Sequence, residues 1–186
     1  MLNHSAGVDA ANFDFYALLV QVSQAIAQAD DLGTALHGVL ATVCQHTAWE
    51  YGEIWLPNQP TTATISARYL YCSPVWYGQP ERLNPFRAVT QTTQFAWGIG
   101  IPGRVAATLQ PEWHPDVRSI KGLTFLRKEA AIAANLGAAL GVPILSGDRL
   151  LAVLVLFRSD AHAQVTAEVN LISSVAAQLG VLMQLH

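Results

Sequence analysis

The sequence predicts an α+β sandwich: a sheet with helices from both chain ends on one face and a broken helix-and-loop cap on the other. Three observations carry this. Apolar residues recur at helical spacing near both ends of the chain. Between them lie short apolar runs bounded by turn residues. Finally, residues 150–157, Leu-Leu-Ala-Val-Leu-Val-Leu-Phe, do not alternate, as expected of a strand covered on both faces.

Residues 1–11 read as a loose terminus and residues 12–186 as a single domain. Asn12 suits a helix N-cap, and Phe15, Leu18, Leu19, Val22 and Ile26 line one helical face. Asp30-Asp31 interrupts that run, and residues 32–46 form a second amphipathic helix on Leu36, Val39, Leu40 and Val43. Residues 51–56 and 64–71 read as strands around the turn Pro57-Asn58-Gln59-Pro60. Residues 72–94 carry the breakers Pro74, Gly78, Pro80 and Pro85, with a short helix near 86–91.

Pro102 suits a first helical position, which places a helix over 102–109. Residues 112–114 read as a brief strand. Residues 121–135 are compatible with a helix ending at Leu136-Gly137. Residues 139–145 and 150–157 pair as a hairpin through Ser146-Gly147-Asp148. The last helix, 165–185, carries Val165, Val169, Ile172, Val175, Ala176, Leu179 and Leu182 on one side.

Length and composition bound the function. A chain of 186 residues suffices for one well-cored domain. It is 52% hydrophobic and 12% charged, about half the usual charged fraction, so some of the apolar surface is expected in a subunit interface. The net charge of −3 comes with no basic run, which removes the electrostatic footprint of a nucleic-acid binder. Cys44 and Cys72 lack C-x-x-C spacing, which argues against structural zinc and a disulfide scaffold. No signal peptide is visible, and apolar runs such as 150–157 are too short for a bilayer; a cytoplasmic domain is expected.

Gly98-x-Gly100-x-x-Gly103 has the spacing of a dinucleotide-binding loop. Such a loop follows a buried strand and offers free N–H groups to a pyrophosphate. Here polar Gln91-Thr92-Thr93-Gln94 precedes it, and Pro102 lacks an N–H. The glycines and Pro102 are expected instead to shape a turn into a short helix.

That loop opens a longer pattern. Phe95-x-x-Gly98-x-Gly100-Ile101-Pro102-Gly103-Arg104-Val105 is followed by Thr108 and by Pro111-x-Trp113-x-x-Asp116. Arg127, the small residues at 130–134, Gly141-Val142-Pro143-Ile144, Gly147 and the apolar run 151–157 continue it. Over roughly residues 13–186 the chain resembles the GAF domain, a sensory module of bacterial signalling proteins. One departure is the order Leu136-Gly137, where relatives often place the glycine first.

The resemblance implies a six-stranded or similar antiparallel sheet, terminal helices on one face, and a small-molecule pocket on the other. It also implies homodimers through the terminal helices, relaying ligand state to an output such as a histidine kinase or cyclase. Bilin-binding relatives place a histidine directly after the bilin cysteine, whereas Gln45 follows Cys44 and Ser73 follows Cys72. The Asn-Lys pair of cyclic-nucleotide binders is absent, and free methionine sulfoxide reductases of this fold need more pocket cysteines than two. Haem or metal ligation finds little support: His37 and His46 lie on opposite sides of their helix, and only His114 sits in the cap. The cofactor therefore stays unassigned.

The expected ligand-binding residues are Tyr69, Tyr71, Trp97, Arg104, Trp113, His114, Phe125 and Arg127: aromatic walls for a flat ligand and arginines for an anionic group. Arg104 is also expected to hold Asp116 in a structural ion pair. Glu50, Glu53 and Asp148 form no paired-carboxylate arrangement, and no Ser/His/Asp spacing appears, so an enzyme is not expected. Two alternatives stay open: a ligand-free dimerisation scaffold whose pocket is filled by aromatics, and a small redox enzyme using Cys72.

Overall fold

The computed structural model describes residues 6–58, 68–120 and 125–185, with side chains from residue 15 onward. Six strands form one antiparallel sheet in the order β3-β2-β1-β6-β5-β4. They are β1 (Tyr51–Pro57), β2 (Tyr69–Tyr77), β3 (Gln94–Ala96), β4 (Glu112–His114), β5 (Ala139–Ser146) and β6 (Arg149–Phe157). On one face lie α1 (Ala6–Ala27), α2 (Leu32–His46) and α6 (Thr166–Gln184); on the other lie α3 (Pro80–Thr92), α4 (Gly100–Thr108) and α5 (Lys128–Ala133). The expected α+β layering is present.

Strand alternation sorts the core into two layers. Ile54, Leu140, Val142, Ile144, Leu154 and Leu156 face the terminal helices, where they meet Leu18, Val22, Val39, Leu40, Val43, Ile172, Val175 and Leu179. Tyr51, Trp55, Val153, Val155 and Phe157 face the cap with Phe86, Phe95, Ile101 and Val105. Because β1 and β6 are central, both of their faces are covered, which explains the unbroken apolar run in β6. By length and composition α6 is also apolar enough to cross a bilayer, but Ile172, Val175, Ala176 and Leu179 are spent on the sheet.

Local chemistry fixes the boundaries. Asp31 caps α2, accepting from the Thr34 N–H at 2.9 Å and its hydroxyl at 2.8 Å. Strand β2 runs past Pro74 to Tyr77, where the sequence reading stopped at Tyr71. Pro74 is tolerated because the register against β1 shifts there, from Glu53↔Trp76 to Trp55↔Cys72, and a bulge needs no donor from it. Helix α3 begins at Pro80, which occupies the first turn where its missing N–H costs nothing, so the helix is longer than 86–91. Helix α1 starts at Ala6, ahead of Asn12.

Strand β3 was not anticipated, because a three-residue strand carries too little periodicity to read. Helix α5 is only six residues long and ends with Asn135 in the left-handed conformation (φ 51°), so Asn135 rather than Gly137 makes the turn. Gly137 serves close packing: a Cβ there would press on the carbonyls of Ser159 and Asp160. The expected strand residues 64–67 and helix residues 121–124 lie outside the described residues.

Candidate functional site

The face of the sheet under the cap is where a ligand is expected, and its centre is a buried ion pair. Strand β1 presents Tyr51, Glu53 and Trp55 on this face. The Glu53 carboxylate is fully buried and accepts from the Tyr51 hydroxyl (2.8 Å) and the Trp55 indole N–H (2.8 Å). Arg127, 1% exposed and just ahead of α5, completes it: Nη2 donates to Oε1 at 2.7 Å and Nη1 to Oε2 at 2.9 Å. Nη1 also donates to the Thr90 hydroxyl at 2.6 Å, and Thr90 in turn donates to the Phe86 carbonyl.

Five aromatic rings surround that guanidinium. Its carbon lies 5.1 Å from Trp55, 4.7 Å from Phe86, 5.6 Å from Phe95, 5.9 Å from Phe125 and 5.6 Å from Phe157. Burial, then the neighbouring Glu53 carboxylate, holds the Tyr51 phenol well above its ordinary pKa, so it stays a donor. Among the described residues, Arg127 Nε has no hydrogen-bond partner. The interior beneath the cap is thus filled by the chain's own side chains.

The expected ligand residues do not converge. Phe125 and Arg127 meet in this interior. Trp97 lies at the rim of a ≈ 570 Å³ cleft between α4 and the β5–β6 turn, with the Arg68 guanidinium 5.1 Å from its ring. Tyr69 and Tyr71 share the helix side of β2; Tyr71 is 41% exposed and borders a cleft with Met183 and Leu151. Trp113 also faces the helix layer, edge-on to Trp49 at 5.3 Å and donating through its indole N–H to the His162 carbonyl at 2.9 Å.

Arg104 and His114 form a separate cluster, and Arg104 does not pair with Asp116. On β4, Glu112 and His114 alternate onto the side facing α4, so Glu112 takes Arg104: Nη2 to Oε1 is 2.6 Å and Nε reaches both oxygens at 3.0 Å. His114 Nε2 also contacts the Glu112 carboxylate. Burial works to raise the Glu112 pKa, but the hydrogen bonds from His114 and Arg104 outweigh it and hold it below the usual carboxylate range. Asp116 lies past the strand end, caps the turn Val117–Ser119, and pairs with Arg118 at 2.7 Å.

The Gly98–Gly103 loop uses its amides internally. Gly98 N–H donates to the Gly103 carbonyl at 2.7 Å, Ile99 to Ala96 at 3.0 Å, and Gly103 to Ile99 at 3.2 Å. Gly98 and Gly100 adopt φ 84° and 66°. Gly103 packs against the Ala96 carbonyl so closely that any Cβ would overlap it. Three of the loop's amides are thereby engaged within it, and Pro102 has no N–H to offer a phosphate.

The two cysteines occupy opposite faces. Cys44 packs with the helix layer and Cys72 with the cap layer. Burial pushes both thiols up to about 12, with Glu50 adding to the effect on Cys44 and Glu53 on Cys72. Arg87, which donates to Cys72 Sγ at 2.8 Å, opposes this without overcoming it. Among the described residues, no group of three or more His, Cys, Asp or Glu could hold a metal ion.

The residues that sequence reasoning passed over are Glu53, Tyr51, Trp55, Thr90, Phe86 and Phe157. One signal was available: Tyr51-x-Glu53-x-Trp55 sets a carboxylate between two large aromatics on one strand face, and a buried charge demands a partner.

A family model described as "GAF domain" matches residues 29–184. Among solved structures, the chain resembles the GAF domain of an Acinetobacter phosphoenolpyruvate-protein phosphotransferase (15% identity, TM-score 0.69, covering 91% of this chain and 92% of that one). It resembles the GAF domain of a Coxiella burnetii phosphoenolpyruvate-protein phosphotransferase (17%, 0.71, 92% and 94%). A free methionine-R-sulfoxide reductase from Neisseria meningitidis, solved with its substrate, is similar to the same degree (17%, 0.70, 99% and 95%). At these identities the likeness concerns the fold. No curated protein sequence matches the chain.

Proposed function

Because the chain belongs to the GAF domain family, we propose that it acts as a regulatory module of a signalling protein, pairing with a second copy through α1 and α6. The observation that carries this reading is the outer surface of those two helices. Residues 15–27 contain no Asp, Glu, Lys or Arg, and α6 contains only Glu168. The helices touch, Ser23 donating to Gln178 at 3.0 Å, and expose Tyr16 (69%), Val20 (55%) and Val181 (63%), with Leu185 (78%) just past the end of α6. Depletion of charge around exposed apolar residues is the composition of an interface centre. The output we propose is of the histidine-kinase kind, biased by how the paired helices pack.

Sedimentation equilibrium tests the pairing. The expected result is a dimer mass at micromolar concentration, reduced to the monomer by Val20→Glu with Val181→Glu. A wild-type chain that stays monomeric would sink the proposal.

A second reading, small-molecule sensing, draws on the ≈ 570 Å³ cleft beside Trp97, where Arg68 and Arg149 supply positive charge. A metabolite that raises the melting temperature through this cleft would favour it. The reductase reading is the weaker one, since thiols on opposite faces of a sheet have no route to exchange with each other, and both are held protonated.

A further inference from the structure

We propose that the interior under the cap is a receptor for a guanidinium ion, and that this chain occupies it with its own Arg127 as a tethered ligand. The receptor is built by other elements. Glu53 is held in place by Tyr51 and Trp55 of its own strand, so its oxygens are oriented without help from the cap. The rings come from β1 (Trp55), α3 (Phe86), β3 (Phe95) and β6 (Phe157), and α3 adds the Thr90 hydroxyl. Phe125 and Arg127 arrive on the segment leading into α5.

The chemistry selects a planar cation with paired donors. Two carboxylate oxygens each take one Nη, which a fork-shaped guanidinium satisfies and a single ammonium point charge does not. The rings supply the negative π faces that such a cation prefers. Arg127 Nε, where the chain attaches, makes no hydrogen bond among the described residues; recognition there is confined to the end that a free guanidinium compound also possesses.

Tethering explains how the site stays closed to outside ligands. A side chain held beside its receptor acts at a high effective concentration, so a free competitor at millimolar level loses to it. The module is thereby fixed in an occupied state, and the class of compound that fits the site is arginine-like or agmatine-like.

Methylguanidinium is the probe, read by melting temperature and by Trp fluorescence, since Trp55 lies against the guanidinium. Arg127→Ala is expected to melt lower than wild type and to be raised by roughly 3–6 °C at ten times the probe's dissociation constant. Tetramethylammonium, a cation without donors, is expected to give no such shift, and Glu53→Gln added to Arg127→Ala is expected to abolish the response. Wild type is expected to show none. A folded Arg127→Ala chain indifferent to methylguanidinium, equal shifts from both cations, or saturable binding by wild type would each overturn the proposal. If Arg127→Ala does not fold alone, refolding yield becomes the readout: a yield raised by methylguanidinium only is expected, and equal yields with both cations overturn it. Dimer mass is a separate measurement, so the two proposals fail independently.

Discussion

At Glu53 a single carboxylate decides how the cap interior is arranged, and its replacement separates buried from surface pairing. Glu53→Gln keeps the volume but leaves Arg127 charged and 1% exposed. Breaking a buried pair from one side costs about 3–5 kcal/mol, which is expected as a lower midpoint in urea. Glu112→Gln removes a pair whose side chains are each 24% exposed, and should cost no more than about 1 kcal/mol. Equal losses would contradict the assignment of Glu53 as the central residue. The thiols give a second residue-scale expectation. Held protonated by burial, Cys44 and Cys72 should react with a thiol-specific disulfide reagent far more slowly in the native protein than in urea at the same pH. A native rate matching the unfolded one would show a reactive thiol and revive the redox reading.

At the scale of elements, Gly180 offers a reversal of sign. Glycine inside a helix ordinarily gains about 1 kcal/mol when changed to alanine. In α6, however, a Cβ at Gly180 would overlap the Leu145 carbonyl of β5, and backbone does not move aside cheaply. Gly180→Ala is therefore expected to destabilise, with Gly38→Ala in α2, where a Cβ meets only Ala25 Cβ at ordinary contact distance, as the stabilising control. A gain at both positions would mean that α6 does not dock on β5 this closely. The same scale shows what could be read from sequence. The long periodic helices α2 and α6 and the β5–β6 hairpin were legible because each carries several repeats of its own period. Strand β3 and the bulge at Pro74 were not, because pairing partners elsewhere in the chain create them, and α5 fills only part of the helix expected over 121–135. The candidate site suffered likewise: Arg127 was singled out, but its partner Glu53 lies 74 residues away, and no local pattern joins them.

At the scale of the whole molecule, the two buried thiols and Tyr51 make alkali the more informative direction of titration. An acid group whose folded pKa is raised leaves the folded chain holding more protons than the unfolded one, so stability falls as pH rises past the unfolded value. For each cysteine that window opens near 9.0, the ordinary value, and extends to about 12. The Tyr51 phenol, also raised, adds to the loss at higher pH. Each thiol contributes a slope of at most about 1.4 kcal/mol per pH unit, so the two together outweigh any single surface ion pair. Glu112 acts in the opposite sense. Its lowered pKa gives stability that is present above the ordinary carboxylate value and lost as pH falls through the folded one. Urea midpoints measured from pH 3 to pH 11 should therefore form a plateau, with an acid limb blunted by Glu112→Gln. Above pH 9 an alkaline limb should follow, made shallower by Cys44→Ala with Cys72→Ala. A midpoint constant to pH 11 would mean that the thiols ionise freely in the folded chain, and that neither face of the sheet is as closed as its packing indicates.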